Sequence, residues 1–97
     1  MRKNFGKQTY VYPMPVFIIG TYDENGNANA MNAAWGGIHD DYQIAICVAP
    51  NHKTAKNLLI KKAFTVSIAD VAHVVACDYV GFVSGNSEPD KMKKAGF

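Results

Sequence analysis

The dipeptide Asn25-Gly26 is the feature that most restricts the fold of this 97-residue chain. It separates an apolar run, residues 16–22, from residues 28–35, in which small and polar side chains alternate. Asn-Gly supplies the two positive φ angles of a type I′ turn, whose twist matches a pair of antiparallel strands. We therefore predict a β-hairpin with a two-residue turn and a first arm that is buried on both faces. An antiparallel start excludes a doubly wound parallel fold.

Two further strands are predicted after the hairpin. Residues 43–49 alternate the larger aliphatic side chains of Ile44, Ile46 and Val48 with smaller or polar ones up to Pro50, which cannot continue a central strand. Residues 64–68 repeat that alternation. Before the third strand, Gly36 and Gly37 free the backbone for a bulge or a sharp bend.

Three helical segments complete the prediction. Residues 51–62 place apolar side chains three and four positions apart, which is the spacing of one helical face. A short helix is expected over residues 71–80, between Asp70 as the N-cap and Gly81 as the closing residue. A basic helical stub is expected over residues 90–95. The fold class is therefore α+β and mainly β, with an antiparallel sheet and short helices.

Composition limits both the architecture and the partners. At 97 residues the chain is a single domain, residues 1–97, and its charged fraction of 19% is low enough to suggest apolar surface reserved for a partner. A net charge of +2 gives no field that would favour nucleic acid. Cys47 and Cys77 form no CxxC pair and are expected to be buried thiols. No segment approaches the roughly 18 apolar residues of a membrane helix, so we expect a cytoplasmic protein.

The tetrapeptide Asn51-His52-Lys53-Thr54 is the strongest candidate site, because it stands where a strand leads into a helix. A helix N-terminus offers unpaired N–H groups and positive dipole, and the Lys, Thr and His side chains would add donors for a phosphate. The alternative is that Asn51 caps the helix while His52 and Lys53 face water. The tetrapeptide alone favours this second interpretation.

The run His39-Asp40-Asp41 contains metal-ligating side chains, but consecutive residues point in different directions. We interpret it as a solvated turn and predict no metal site. No catalytic triad or dyad is recognisable either, so no catalytic residue is predicted.

The remaining prominent side chains have ordinary structural explanations. Trp35 is the only tryptophan and is expected to anchor the core. His73 lies in an apolar helical pattern, which is typical of an interior or boundary histidine. Lys91, Lys93 and Lys94 are expected on the polar face of the C-terminal helical stub.

Taken in order, four segments of the chain resemble one known family. They are Tyr12-Pro13-Met14-Pro15-Val16 leading into residues 20–29, Met31-Asn32-Ala33-Ala34-Trp35-Gly36-Gly37, His52-Lys53-Thr54 with Asn57-Leu58, and Ser84-Gly85 with Asp90-Lys91 and Gly96-Phe97. The chain is thereby similar to the flavin reductase-like proteins with an FMN-binding split β-barrel, among which are the flavoredoxins. The resemblance covers essentially the whole chain.

That resemblance implies a homodimer with FMN bound at the dimer interface. Asn29 to Trp35 would then lie along the isoalloxazine ring, with Cys47 and Val48 on the neighbouring strand. His52, Lys53 and Thr54 would hold the phosphate, and Lys91 would approach it from the later loop. The implied cofactor-binding residues are Asn29, Ala30, Met31, Asn32, Ala33, Ala34, Trp35, Cys47, Val48, His52, Lys53, Thr54 and Lys91.

Members of the family are considerably longer than 97 residues, so the resemblance is to their N-terminal half. It implies an FMN-dependent oxidoreductase. Either NAD(P)H would pass hydride to flavin N5, or a redox protein would exchange electrons with the bound flavin. The alternative is a non-catalytic, truncated split-barrel module that acts in dimerisation or ligand binding. A relative that binds another flat cofactor in the same cleft is a third possibility.

Overall fold

Five strands and three α-helices follow one another in the computed structural model, which describes all residues from 1 to 97. β1 pairs with β2 on one side and with β5 on the other, both antiparallel, and β3 and β4 form a separate two-stranded ribbon. This arrangement confirms the predicted antiparallel α+β fold. The strands are β1 (Phe17–Tyr22), β2 (Ala28–Ala33), β3 (Gly36–Asp40), β4 (Gln43–Ile46) and β5 (Thr65–Ser67), and the helices are α1 (Lys53–Lys61), α2 (Val74–Phe82) and α3 (Lys91–Ala95).

The β1–β2 hairpin is present, but its turn is not the two-residue turn predicted from Asn25-Gly26. Only Gly26 has a positive φ, 80°, and its N–H donates to the Asp23 carbonyl at 3.1 Å. This is the pattern of a longer loop in which a type I turn is followed by one left-handed residue. The Asp23 carboxylate accounts for the difference, because it accepts from the backbone N–H groups of Asn25 at 2.9 Å and Asn27 at 2.8 Å.

The β3–β4 ribbon was not predicted in full. Gly36 and Gly37, expected at a bend, are instead the first residues of β3 and pair with Ile46 and Ala45 of β4. Since neither glycine carries a side chain, their pairing leaves no alternating pattern in the sequence that would mark a strand. β4 itself ends at Ile46, earlier than predicted.

The solvated turn predicted at residues 39–41 is shorter than expected. His39 and Asp40 belong to β3, where the register shifts between Ile38 and Asp40, and the turn itself consists of Asp41 and Tyr42. The residues His39, Asp40, Asp41 and Tyr42 are all exposed. No group of three His, Cys, Asp or Glu side chains stands close enough to hold a metal ion.

Helices cover both faces of the β2-β1-β5 sheet. α1 packs on the face that carries Thr21, whose hydroxyl accepts a hydrogen bond from Asn57 Nδ2 at 3.0 Å. On the opposite face, Cys77 and Val80 of α2 join Ile18 in a buried apolar cluster. Successive residues of a strand point to opposite faces, so β1 is buried on both sides, as predicted. Burial of each such aliphatic side chain stabilises the fold by about 1.5–3 kcal/mol.

The start of the second helix is as predicted and its end is not. The Asp70 carboxylate accepts from the His73 backbone N–H at 2.8 Å and caps a 3₁₀ turn, Val71–His73, that leads into α2. His73 is largely exposed and its ring bonds to Asp70 at 2.6 Å, so the predicted interior or boundary position is wrong. These bonds hold the pKa of Asp70 below its ordinary value, the His73 ring contributing most. The helix continues through Gly81 and ends at Phe82.

Large apolar side chains remain exposed at both ends of the chain and on the ribbon. Ile38 is 89% exposed and Tyr42 is 99% exposed, while Phe5 and Tyr10 in the N-terminal segment pack only edge to face against each other. The two sheets are not joined into a closed barrel.

No helix in the structure has the length and apolar character needed to cross a membrane.

Candidate functional site

A cavity of about 160 Å³ lies between β2, the start of α1 and the segment that follows α2. Its lining includes residues predicted from the resemblance and also residues 80–85, for which the sequence predicts no binding role. The predicted residues that the structure brings together around it are Asn29, Met31, His52, Lys53, Thr54 and Lys91.

The N-terminus of α1 opens onto this cavity without a side-chain cap. His52 is the N-cap residue, its backbone is extended, and its side chain makes no capping hydrogen bond. Asn51, which we considered as a cap, stands one residue too early for that role. The first turn contains no acidic residue, so its backbone N–H groups and the positive end of the dipole are not neutralised locally.

The Thr54 hydroxyl is fixed inside the site. Thr54 is 1% exposed, and its Oγ1 accepts a hydrogen bond from Asn29 Nδ2 at 3.1 Å. Asn29 reaches it from β2 and is itself 4% exposed. A buried polar side chain that is hydrogen-bonded in this way has one preferred orientation.

Two lysines face the same cavity. Lys91 is only 3% exposed and forms neither an ion pair nor a side-chain hydrogen bond in the structure. Burial, followed by repulsion from Lys53, lowers the pKa of the Lys91 ammonium. Lys53 lies 3.7 Å from a carboxylate oxygen of Asp23 and keeps 27% of its side chain exposed. The expectation that Lys91 lies on a polar outer face is therefore wrong, because α3 folds back with this residue towards the interior.

Asp23 supplies a fixed negative charge at the edge of the site. Its carboxylate accepts from two backbone N–H groups of the hairpin loop and from the side chain of Asn27. These bonds lower its pKa, with the Asn27 backbone N–H as the main cause and Lys53 as a smaller one. The hydrogen bonds within the hairpin loop therefore also hold the Asp23 carboxylate near the Lys53 ammonium group.

The loop after α2 is held against α1 and β2 by two residues. Asn86 donates to the Asn51 carbonyl at 2.9 Å and accepts from Lys56 Nζ at 3.4 Å. Gly85 lies so close to Asn29 that a Cβ at this position would collide with Asn29 Oδ1, and it would approach Lys53 Cδ to 3.0 Å. Glycine at position 85 thus allows the loop to close one side of the cavity.

Other residues predicted at the site lie elsewhere on β2. Ala30 belongs to the buried cluster on the α2 face, and Ala33 packs with Phe17 and Ile19 in a second buried cluster. Asn32 has its Oδ1 buried without a hydrogen-bond partner. The small side chains of Ala30 and Ala33 therefore make room for packing against α2 and β1.

A second group of predicted residues surrounds the start of the β3–β4 ribbon. The Cys47 backbone N–H donates to the Trp35 carbonyl at 2.8 Å, which places these residues side by side. Trp35 is 55% exposed, so its predicted role as a core anchor is wrong. Ala34 and Cys47 are exposed and Val48 is half-buried. Of the two cysteines expected to be buried, only Cys77 is.

No binding role is predicted from the sequence for the residues that form the far wall of the cavity. Gly81 was interpreted as a helix end, yet the helix continues past it and brings Phe82, Val83 and Ser84 to the site. Ser84-Gly85 was one of the segments that carried the family resemblance. The loop Ser84-Gly85-Asn86-Ser87, which is rich in small and polar residues, was the only signal that could have indicated this wall.

The profile of the flavin reductase like domain matches residues 9–97 of the chain. The chain belongs to this family. Among solved structures, the flavoredoxin of Desulfovibrio vulgaris (Miyazaki F) is 39% identical and has a TM-score of 0.86, over 99% of this chain and 53% of its own. Flavoredoxin from Methanosarcina acetivorans is 25% identical, with a TM-score of 0.79, over 94% of this chain and 50% of its own.

A third structure agrees in fold. The FMN-binding domain of a flavin reductases-like enzyme from Shewanella baltica OS155 is 21% identical, with a TM-score of 0.77, over 84% of this chain and 44% of its own. The flavin reductase-like chain described here thus spans about half the length of the structures it matches. No curated protein sequence matches it significantly.

Proposed function

We propose that this flavin reductase-like chain binds FMN and serves a flavin-dependent redox reaction. The observation that carries the proposal is the buried Lys91, which faces Lys53 across the cavity without a carboxylate of its own. An ammonium group that is partly desolvated and has no counter-ion is costly, and an anionic ligand is the group that would offset that cost. The names of the solved relatives, two flavoredoxins and an FMN-binding domain, suggest which ligand carries the anion.

The donor set around the cavity fits a phosphate group. Lys53 and Lys91 offer positive charge, Thr54 offers a hydroxyl, and the uncapped start of α1 offers backbone N–H groups. Helix N-termini and lysines are common phosphate ligands, and charge-assisted hydrogen bonds are the stronger ones. We infer that these residues, together with His52, hold the FMN phosphate.

The flavin ring is proposed to lie towards the start of the ribbon. Met31 borders the cavity, while Trp35, Cys47 and Val48 lie beyond it where β2 gives way to β3 and β4. These side chains present apolar and aromatic surface, which suits a flat ring. The ring-binding role that the family resemblance implies is therefore kept for Met31, Ala34, Trp35, Cys47 and Val48, whereas Ala30 and Ala33 pack in buried clusters of the protein.

Bound FMN would supply the hydride or single-electron chemistry, so the protein needs to bind and orient it. Two versions of the reaction are proposed: hydride transfer from NAD(P)H to the flavin, and electron exchange with a redox protein, as the name flavoredoxin suggests. A homodimer with FMN at its interface is proposed as the functional form. Its support is the exposed apolar surface of the ribbon, where Trp35, Ile38 and Tyr42 lie.

A non-catalytic module is the second candidate. The observation in its favour is the open arrangement of the sheets, with β3–β4 separate from β2-β1-β5 and every residue of β5 exposed. In that case the chain would bind a ligand or a second copy without turnover.

The test is a visible absorbance spectrum of the purified protein after incubation with FMN and desalting. Flavin bands that elute with the protein are expected, and a colourless protein would contradict FMN binding by this chain. Oxidation of NADH or NADPH above a free-flavin control would then distinguish the reductase from a flavin shuttle or a non-catalytic module.

A further inference from the structure

The hydrogen bond between Asn29 and Thr54 determines whether the Thr54 hydroxyl can act as a donor or as an acceptor towards a ligand. Asn29 Nδ2 is the donor and Thr54 Oγ1 is the acceptor, at 3.1 Å, and both side chains are buried. A hydroxyl has one proton and two acceptor lone pairs. Since the amide occupies an acceptor position, the single proton of Thr54 remains available for another group.

We propose that Asn29 is a positioning residue that holds the Thr54 hydroxyl as a hydrogen-bond donor towards the phosphate of the ligand. This inference rests on the proposed function, and it gives Asn29 a role that acts through Thr54. An amide is suited to this role because a carboxylate in its place could only accept, and would take the Thr54 proton for itself.

Packing keeps Asn29 in the required orientation. Asn29 lies on β2, opposite Thr21 of β1, so its backbone is fixed by the hairpin. Gly85 passes directly over its Oδ1, where no Cβ could be accommodated. The amide therefore cannot turn away from Thr54 without moving the loop that carries Ser84 and leads to Lys91.

A second Asn–Thr pair in the same protein provides a matched control. Asn57 Nδ2 donates to Thr21 Oγ1 at 3.0 Å, and both residues are 2–3% exposed. This bond also joins α1 to the hairpin, but neither residue lines the cavity. Loss of either pair weakens the attachment of α1, whereas only the Asn29–Thr54 pair faces the proposed phosphate.

The experiment measures the affinities of FMN and riboflavin, which differ by the phosphate, by flavin fluorescence titration. The proteins are wild type, Asn29→Asp, Thr54→Val and the double variant, with Asn57→Asp as control. Wild type, these single variants and their combination form a double-mutant cycle. Asn29→Ala with Thr54→Val forms a second double-mutant cycle, which adds no charge. Urea unfolding checks that each variant is folded.

We expect Asn29→Asp and Thr54→Val each to reduce the preference for FMN over riboflavin about tenfold or more, as for the loss of a hydrogen bond to a charged group. In the Thr54→Val background, either Asn29 substitution should reduce the preference for FMN over riboflavin by a factor at least about threefold smaller than in wild type. Asn57→Asp should lower stability and leave the preference within about twofold of wild type.

Two results would overturn the inference in different ways. Additive effects in both cycles, in a protein that does prefer FMN, would show that Asn29 does not act through Thr54 and would leave the proposed function intact. A wild-type protein without any preference for FMN over riboflavin would remove the phosphate site itself.

Discussion

Lys91 and Lys53 face one cavity from two different helices, and only Lys53 has a carboxylate near it, that of Asp23 at 3.7 Å. Lys91 is 3% exposed and forms no ion pair, and partial desolvation together with the nearby charge of Lys53 lowers its pKa, so the charged form destabilises the ligand-free fold. A lysine in this position lowers the stability of the ligand-free protein and provides a positive charge for an anionic ligand. The first prediction follows from this relationship.

Lys91→Met keeps most of the side-chain volume and removes the charge. We expect it to stabilise the ligand-free protein by about 1–3 kcal/mol and to reduce the preference for FMN over riboflavin at least tenfold. Urea unfolding and fluorescence titration measure the two effects. Lys93→Met, on the exposed side of the same helix, is the control and should change stability by no more than about 0.5 kcal/mol.

The stabilisation by Lys91→Met should depend on pH in a defined direction. The pKa of Lys91 is lowered in the folded state, so the unfolded chain binds more protons between the folded and unfolded pKa values. The wild type therefore carries the full penalty below the folded pKa and loses it as the pH rises towards the ordinary lysine value. A gain from Lys91→Met that grew with rising pH would contradict this account.

The Thr54 hydroxyl can be tested by conservative replacement. Thr54→Val removes the donor at nearly constant volume and should weaken FMN binding about tenfold, with little change for riboflavin. Thr54→Ser retains the hydroxyl and should keep most of the preference for FMN. Equal losses for both flavins in Thr54→Val would mean that the hydroxyl does not contact the phosphate.

Gly85→Ala tests the close approach of the loop to Asn29. The added Cβ would collide with Asn29 Oδ1, so we expect a loss of about 1–3 kcal/mol in stability together with weaker FMN binding. Gly37→Ala is the matched control, since a Cβ there meets no atom within 4 Å. If Gly85→Ala were as harmless as Gly37→Ala, the loop would not pack against Asn29 as described.

The Asp70 cap predicts a pH-dependent contribution to stability. Its pKa is lowered in the folded state, chiefly by the hydrogen bond from the His73 ring, so the stabilisation is present above the ordinary aspartate pKa and is lost as the pH falls through the folded value. Asp70→Ala should therefore lower the urea midpoint at neutral pH and have progressively less effect in acid. Asp78→Ala, at an exposed position on α2 that caps no helix, is the control and should change the stability at neutral pH by no more than about 0.5 kcal/mol.

The sequence predicted the parts of the fold that depend on local rules. Asn25-Gly26 indicated the hairpin, and Asp70 indicated the start of a helix, because turns and caps depend on nearby residues. The type of turn was wrong because the Asp23 carboxylate supplied acceptors that favoured a longer loop. The strand that begins at Gly36 was missed because glycines carry no side-chain alternation.

The candidate site was predictable only in part, for a different reason. The segment His52 to Thr54 could be identified because the start of a helix can be predicted there from local sequence rules, and α1 does begin at Lys53. The burial of Lys91 could not, because it depends on α3 folding back against α2. Trp35 looked like a core residue by its type, whereas the open position of the ribbon leaves it exposed.

We propose that the cavity lined by Lys53, Thr54 and Lys91 binds the phosphate of FMN. Its most direct test is a comparison of the dissociation constants of FMN and riboflavin for the wild-type protein in the same low-salt buffer. We expect at least tenfold tighter binding of FMN, with a preference that decreases as salt is added. Equal affinities for the two flavins would contradict it.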